Sequence, residues 1–303
     1  MTRIPPAALA VLLVLLPACR STHGDPAHAP RSVASPAGSD ETVLATDGVA
    51  IHYHVEGSGS PALVLLHGWA CDGSIWDAQV RALSPRFTVA TIDLPGHGRS
   101  GKDRSSWSVR VYAEDVREVV RRLSPHDVIL VGHSMSGYVI LETAALLPDR
   151  VIGLIPVDTL QDAEWKPGPA MNTILESMQK DFKTATREFA ASMFSERADP
   201  ALVERMQMTM SSMDSGIGLP VLRAVFSYDA AAALDRVKQP IHAIESDRYP
   251  VRLETNRRHA PQFKSVVIAG TGHFPMLEKP EEFNRLLIEA VEDVTRSGRS
   301  SGR

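Results

Sequence analysis

A serine, two aspartates and a histidine stand at positions where acyl-transfer chemistry would need them. Ser134 lies in Val128-Ile129-Leu130-Val131-Gly132-His133-Ser134-Met135-Ser136-Gly137, a short apolar run followed by a tight small-residue turn and a helical pattern. A serine on such a strand-to-helix turn is pushed out at the carboxyl end of a sheet. Its neighbours two before and two after must be small, because strand and helix nearly touch there. Gly132 and Ser136 hold those places; Ser136 stands where glycine is usual, with Gly137 next. Serine is a weak nucleophile at neutral pH and needs a base. Among 11 histidines, His273 follows the last strand pattern on a glycine-flexible loop, Gly270-Thr271-Gly272, that can bend toward Ser134. The imidazole in turn needs a carboxylate to hold its tautomer.

Further motifs recur in order. His67-Gly68-Trp69 follows the run Leu63–Leu66, and Asp93-Leu94-Pro95-Gly96-His97-Gly98-Arg99-Ser100 follows the next strand pattern. Gly272-His273-Phe274-Pro275 opens the segment that ends Glu278-Lys279-Pro280. With the serine elbow, these four motifs resemble the α/β-hydrolase family over residues 43 to 295, the helical insertion only loosely. The resemblance implies a catalytic acid between Ser134 and His273 in the chain. Asp247, after the strand Ile241–Ile244, occupies the usual place; Asp158, at the end of the strand before the insertion, is the alternative acid. It also implies an oxyanion hole made by the backbone N–H groups of Met135 and Trp69. Each such donor is worth about 3–4 kcal/mol.

Other candidates have blander readings. His133 packs beside the elbow, and His67 and His97 shape the site by hydrogen bonding. His52 and His54 share a strand face, but no third ligand is evident, so no metal is expected, and no cofactor. Cys71 is expected to be a buried free thiol. Glu164, Glu176 and Glu204 are read as solvated helix positions. Seven of the ten methionines (171, 178, 193, 206, 208, 210, 213) fall in the insertion, where they would fill core or line an adaptable apolar pocket.

The elements that must position these groups follow from the patterning. Compact apolar runs at Ala62–Leu66, Thr88–Ile92, Val128–Val131 and Val151–Val157 read as strands buried on both faces. Helical patterns lie between them at Ile75–Leu83, Val109–Leu123 and Met135–Leu147. The alternation predicts an α/β fold: a mostly parallel central sheet with helices on both faces. It stops over 159–236, read as an inserted helical cap broken at Pro167, Pro169, Pro200 and Pro220, and resumes over 237–296. The core is thus 41–158 and 237–296, and 297–303 is expected to fray.

The N-terminus reads as an address. Arg3 precedes an apolar run, Ala7 to Ala18, too short to span a bilayer and suited to a signal peptide over 1–18. It ends Leu16-Pro17-Ala18-Cys19, which resembles a bacterial lipobox with Cys19 as the lipidated residue; the alternative is a secreted or periplasmic soluble protein. Residues 19–40, rich in Ser, Pro, Ala and Gly, read as a flexible tether.

The 303 residues carry 32 Lys+Arg against 36 Asp+Glu, which gives no reason to expect nucleic acid. Two cysteines exclude a disulfide scaffold. Membrane contact is expected only through the lipid anchor, the partner is a small acyl substrate, and oligomeric state is left open. The leading expectation is a serine hydrolase of esters or lactones with an acyl-enzyme intermediate. A carbon–carbon bond hydrolase, an amidase or a cofactor-free haloperoxidase could use the same residues. A non-catalytic binding protein on this fold would be expected to have lost one of them, and a structural envelope lipoprotein would need no strained elbow.

Overall fold

The computed structural model describes residues 38–301. The signal segment, Cys19 and all but the end of the tether lie outside the described residues.

One eight-stranded sheet organises the chain: β1 (Ser39–Leu44), β2 (Ala50–Glu56), β3 (Ala62–Leu66), β4 (Thr88–Ile92), β5 (Val128–His133), β6 (Val151–Val157), β7 (Ile241–Ser246) and β8 (Phe263–Ile268). Their order is β1-β2-β4-β3-β5-β6-β7-β8. β2 is antiparallel to both neighbours, and the rest run parallel. Every residue of β3, β4 and β5 is buried, as continuous apolar runs in a covered parallel sheet require.

β1 is the strand that patterning misses. Five of its six residues are exposed. Backbone pairing with β2 and the ion pairs of Asp40 with Arg99 and His54 hold it instead. The expected tether to residue 40 therefore ends earlier, because Ser39 already pairs with Val55.

Helices α1 (Asp77–Leu83), α2 (Val109–Val120) and α3 (Met135–Leu146) follow successive strands. α2 starts on the Ser108 hydroxyl, which accepts from the Val111 N–H at 3.1 Å, and buries Val109, Tyr112, Ala113, Val116, Val119 and Val120 at helical spacing.

Between β6 and β7 run α4 (Pro169–Lys180), α5 (Phe182–Ser192), α6 (Pro200–Ser211), α7 (Ser215–Phe226) and α8 (Ala230–Leu234). An aspartate caps each of the last four: Asp181, Asp199, Asp214 and Asp229 accept from N–H groups of the first turn. Pro169 and Pro200 sit in first turns, where a missing N–H is harmless. Pro220 is not a break: it lies inside α7, although it gives up the bond to the Gly216 carbonyl and its ring crowds that carbonyl. α8 packs back on α3, so the end of the expected cap belongs with the core.

After β7 come α9 (Leu253–His259), α10 (Pro275–Glu278) and α11 (Pro280–Ser301). The expected frayed tail from 297 is helical to Ser301. α11 lies against β6, β7 and α1.

That contact is close. A Cβ built on Gly153 of β6 would stand 2.6 Å from Val294 Cβ. Gly153→Ala should therefore overpack the sheet–helix interface and destabilise the fold by about 1–3 kcal/mol, read as a lowered midpoint in urea with an unchanged slope.

Candidate active site

The site is built at the carboxyl ends of β5 and β6. Ser134 has φ 53° and ψ −121°, a left-handed conformation that costs a non-glycine residue about 1–3 kcal/mol. The turn persists because both sides clamp it: the Ser134 N–H donates to the Val157 carbonyl at 2.9 Å, and the Gly137 N–H to the Ser134 carbonyl at 2.8 Å. The small neighbours are obligatory. A Cβ on Gly132 would stand 2.3 Å from the Ser136 carbonyl oxygen, and one on Gly137 would stand 1.9 Å from Thr159 Cγ2. Ser136 is tolerated because its buried hydroxyl donates to the His67 carbonyl. The departure from glycine thus ties the start of α3 to the loop after β3.

His273 Nε2 lies 2.8 Å from Ser134 Oγ, and its Nδ1 lies 2.6 Å from Asp158 Oδ2. The carboxylate facing His273 is therefore that of Asp158, not Asp247. The register explains it. Val157 is level with His133 on β5, and the Asp158 N–H continues the pairing onto the Ile244 carbonyl at 3.0 Å. Asp158 thus leaves its strand beside Ser134, with φ 47°. Asp247 lies one strand farther out, exposed, and accepts instead from the Gly270 N–H at 2.8 Å.

Asp158 is 2% exposed. Burial pushes its carboxyl up, but bonds from His273 and the Ser246 N–H outweigh burial and hold it below the usual aspartate range. Gln161 Nε2 completes its shell at 2.9 Å from Oδ1. An acceptor on Nδ1 leaves the neutral ring with its Nε2 lone pair toward the serine hydroxyl.

The His273 backbone is gripped at both ends. Its N–H donates to the Met193 carbonyl at the end of α5, 2.7 Å away, and its carbonyl accepts from His133 Nε2 at 2.7 Å. Burial pushes the His133 pKa down and keeps that ring neutral. Glu278 spans the same junction, accepting from Gly272 and Ser195 N–H groups.

His67 orders the loop after β3. Its Nδ1–H donates to the Gly68 carbonyl at 2.8 Å, and its Nε2 accepts from the Leu94 N–H at 3.0 Å. The backbone N–H groups of Trp69 and Met135 find no acceptor among the described residues, and both residues line the cavity with Ser134. The Trp69 indole donates to the Gly218 carbonyl of α7 at 2.9 Å and packs edge-on against Phe182 and Phe189, so the side chain joins this loop to the insertion.

The cavity measures about 440 Å³. Met171, Met193 and Met210 line it, whereas Met178 and Met206 are buried and Met208 is 53% exposed. The methionines thus divide between pocket, core and surface. Cys71 is a free buried thiol on the wall, its pKa raised by burial. His52 and His54 lie against β1, facing Asp40.

Patterning within β7 did not single out Glu245. It is fully buried; its Oε2 accepts from the Thr159 N–H at 3.1 Å, and its Oε1 has no partner among the described residues. It holds the residue that follows Asp158. Burial, with Asp158 adding to it, pushes its carboxyl well above the glutamate range. The only sequence signal was an acid among apolar residues of a buried strand.

The chain matches the family model for the alpha/beta hydrolase family over residues 63–286. It is 28% identical over 254 residues to a pimeloyl-[acyl-carrier protein] methyl ester esterase of Nitrosomonas europaea, covering 77% of this chain and 96% of that protein. A solved structure described as an N-acyl homoserine lactone degrading enzyme superposes with TM-score 0.70 at 27% identity, over 81% of this chain and 98% of the other. A bromoperoxidase from Bacillus anthracis superposes with TM-score 0.76 at 21% identity, over 84% and 100%, a likeness of fold.

Glu245 supplies a pH test. The unfolded chain ionises this carboxyl near about 4.3, while the folded chain keeps its proton to a much higher pH. Stability from this residue is therefore full below that value and falls as pH rises, by at most about 1.4 kcal/mol per pH unit. Glu245→Gln should flatten the decline of melting temperature between pH 5 and 8; an unaltered slope would mean that Glu245 is charged in the fold.

The strained serine turn, the histidine loop over it and the parallel strands from β4 onward fall within residues 63–286, which the family model matches: the chain belongs to the alpha/beta hydrolase family.

Proposed function

We propose that the protein is a serine hydrolase of carboxylic esters, lactones included, working through Ser134, His273 and Asp158. One observation carries this: the continuous hydrogen-bonded line from Ser134 Oγ through both nitrogens of His273 to Asp158. Similarity to a relative named as a methyl ester esterase supports the ester bond.

In this reading Ser134 Oγ attacks the ester carbonyl as His273 Nε2 takes its proton. Asp158 stabilises the imidazolium without itself becoming protonated. The carbonyl oxygen, now negative, is received by the Trp69 and Met135 N–H groups, which have no protein acceptor to leave. Collapse expels the alcohol, which takes the proton from His273, and leaves an acyl-serine. Water, deprotonated by His273, attacks the acyl carbon, and the acid departs as Ser134 regains its proton.

Ser134→Ala should abolish labelling by a fluorophosphonate and turnover of short p-nitrophenyl esters. Asp158→Asn, which leaves the ring in the wrong tautomer, should lower kcat by about 10⁴-fold. Asp247→Asn retains an oxygen for the Gly270 N–H and should leave kcat within a few-fold of the wild type. The reverse order of the two aspartates would refute the assignment, and equal turnover by Ser134→Ala would refute the mechanism.

We also propose that residues 1–18 are removed and that Cys19 becomes lipidated, which would place the enzyme on a bacterial membrane surface. The lipobox-like Leu16-Pro17-Ala18-Cys19 supports this. Mass spectrometry of the mature N-terminus should find a diacylglyceryl-modified Cys19, and Cys19→Ser should release the protein from the membrane fraction.

A further inference from the structure

The segment after β7 has a composition that catalysis by Asp158 leaves unexplained. With the carboxylate supplied from β6, residues 247–252 are released from holding an acid beside His273. Asp247 turns away to the Gly270 N–H. Two residues of the same segment, Arg248 and Arg252, line the cavity that holds Ser134 and His273.

The two cations are differently placed. Arg248 is held in position: one guanidinium nitrogen donates to the Ser192 carbonyl, and the group lies 5.3 Å over the Tyr249 ring. Arg252 is fixed through its backbone, whose N–H donates to the Gln161 carbonyl at 2.6 Å. Its guanidinium has no hydrogen-bonding or ionic partner among the described residues. The opposing charges on the cavity wall are Asp158, committed to His273, and Asp162, one of whose oxygens accepts from the Glu164 N–H at 3.0 Å. The two cations share this wall with Ser134 and with apolar side chains that include Met171, Met210, Leu222 and Phe226. A pocket of this kind suits a substrate with an apolar chain and an anionic end.

We propose that Arg248 and Arg252 form an anion subsite, and that the preferred ester carries a carboxylate or phosphate separated from the scissile bond by an apolar chain. The proposal rests on the serine-esterase reading above. Arg252 supplies the open donors, since a guanidinium matches either oxyanion with two parallel N–H bonds. Arg248 supplies a pre-positioned second charge.

Binding to the Ser134→Ala protein tests the subsite without requiring turnover. The probes are three straight-chain methyl esters of equal length, ending in a carboxylate, a phosphate or a neutral amide, titrated by calorimetry. The anionic esters should bind at least about tenfold more tightly than the amide, with the difference shrinking as salt is raised. Arg252→Gln in that background should erase most of the difference, and Arg248→Gln part of it. Whichever anion binds more tightly identifies the source of the charge. Equal binding of all three probes, or an anion preference untouched by Arg252→Gln, would overturn the proposal. The same esters offered to the unmutated enzyme read the esterase function separately. Turnover of the amide-ended ester with no anion preference would leave the hydrolase standing and the subsite refuted. Anion-selective binding without serine-dependent turnover would do the opposite.

Discussion

Ser134, at φ 53° between a buried strand and a helix, sits where the chain leaves no room for a Cβ at Gly132 or Gly137. That constraint reaches beyond the turn. Gly132 must lack a Cβ because Ser136 passes over it, and Gly137 must lack one because Thr159 passes over it. Thr159 is the residue after Asp158, and Glu245 holds its N–H from below. The close approach around Ser134 therefore also sets where the chain leaves β6, and so where the Asp158 carboxylate stands. Ser134 and Asp158 are two ends of one packing contact between adjacent strand exits.

His273 is held from outside the sheet. The His273 loop is pinned at its N–H by α5 and at its carbonyl by His133. The loop after β3 is pinned by the Trp69 indole to α7. The insertion is thus a structural part of the site as well as its roof: it fixes both the histidine loop and one of the two free N–H donors. A shift of α5 or α7 would move His273 and Trp69 along with the pocket wall.

Much of this was legible from residue types. The all-apolar runs announced β3 to β6 because a strand covered on both faces has no polar face to display. The elbow was legible because few turns demand small residues at such spacing around a serine. β1 was not, since a strand held by backbone pairing and surface ions leaves no hydrophobic alternation; nor was Pro220, which lies inside the helix α7. Glu245 was visible only as an acid out of place, because its partner is a backbone N–H with no sequence signature.

By itself the sequence determined the serine, the histidine, the strand rhythm and the presence of a helical insertion, since each is written in local spacing. It left two aspartates competing for one place. Both end strands, and both lie between Ser134 and His273 in the chain, so local patterning cannot rank them. The choice belongs to the register between neighbouring strands. Val157 lies level with His133, which sets Asp158 beside Ser134, while Asp247 leaves one strand farther away and turns to Gly270. Register is a property of packed strands, and only the tertiary structure contains it.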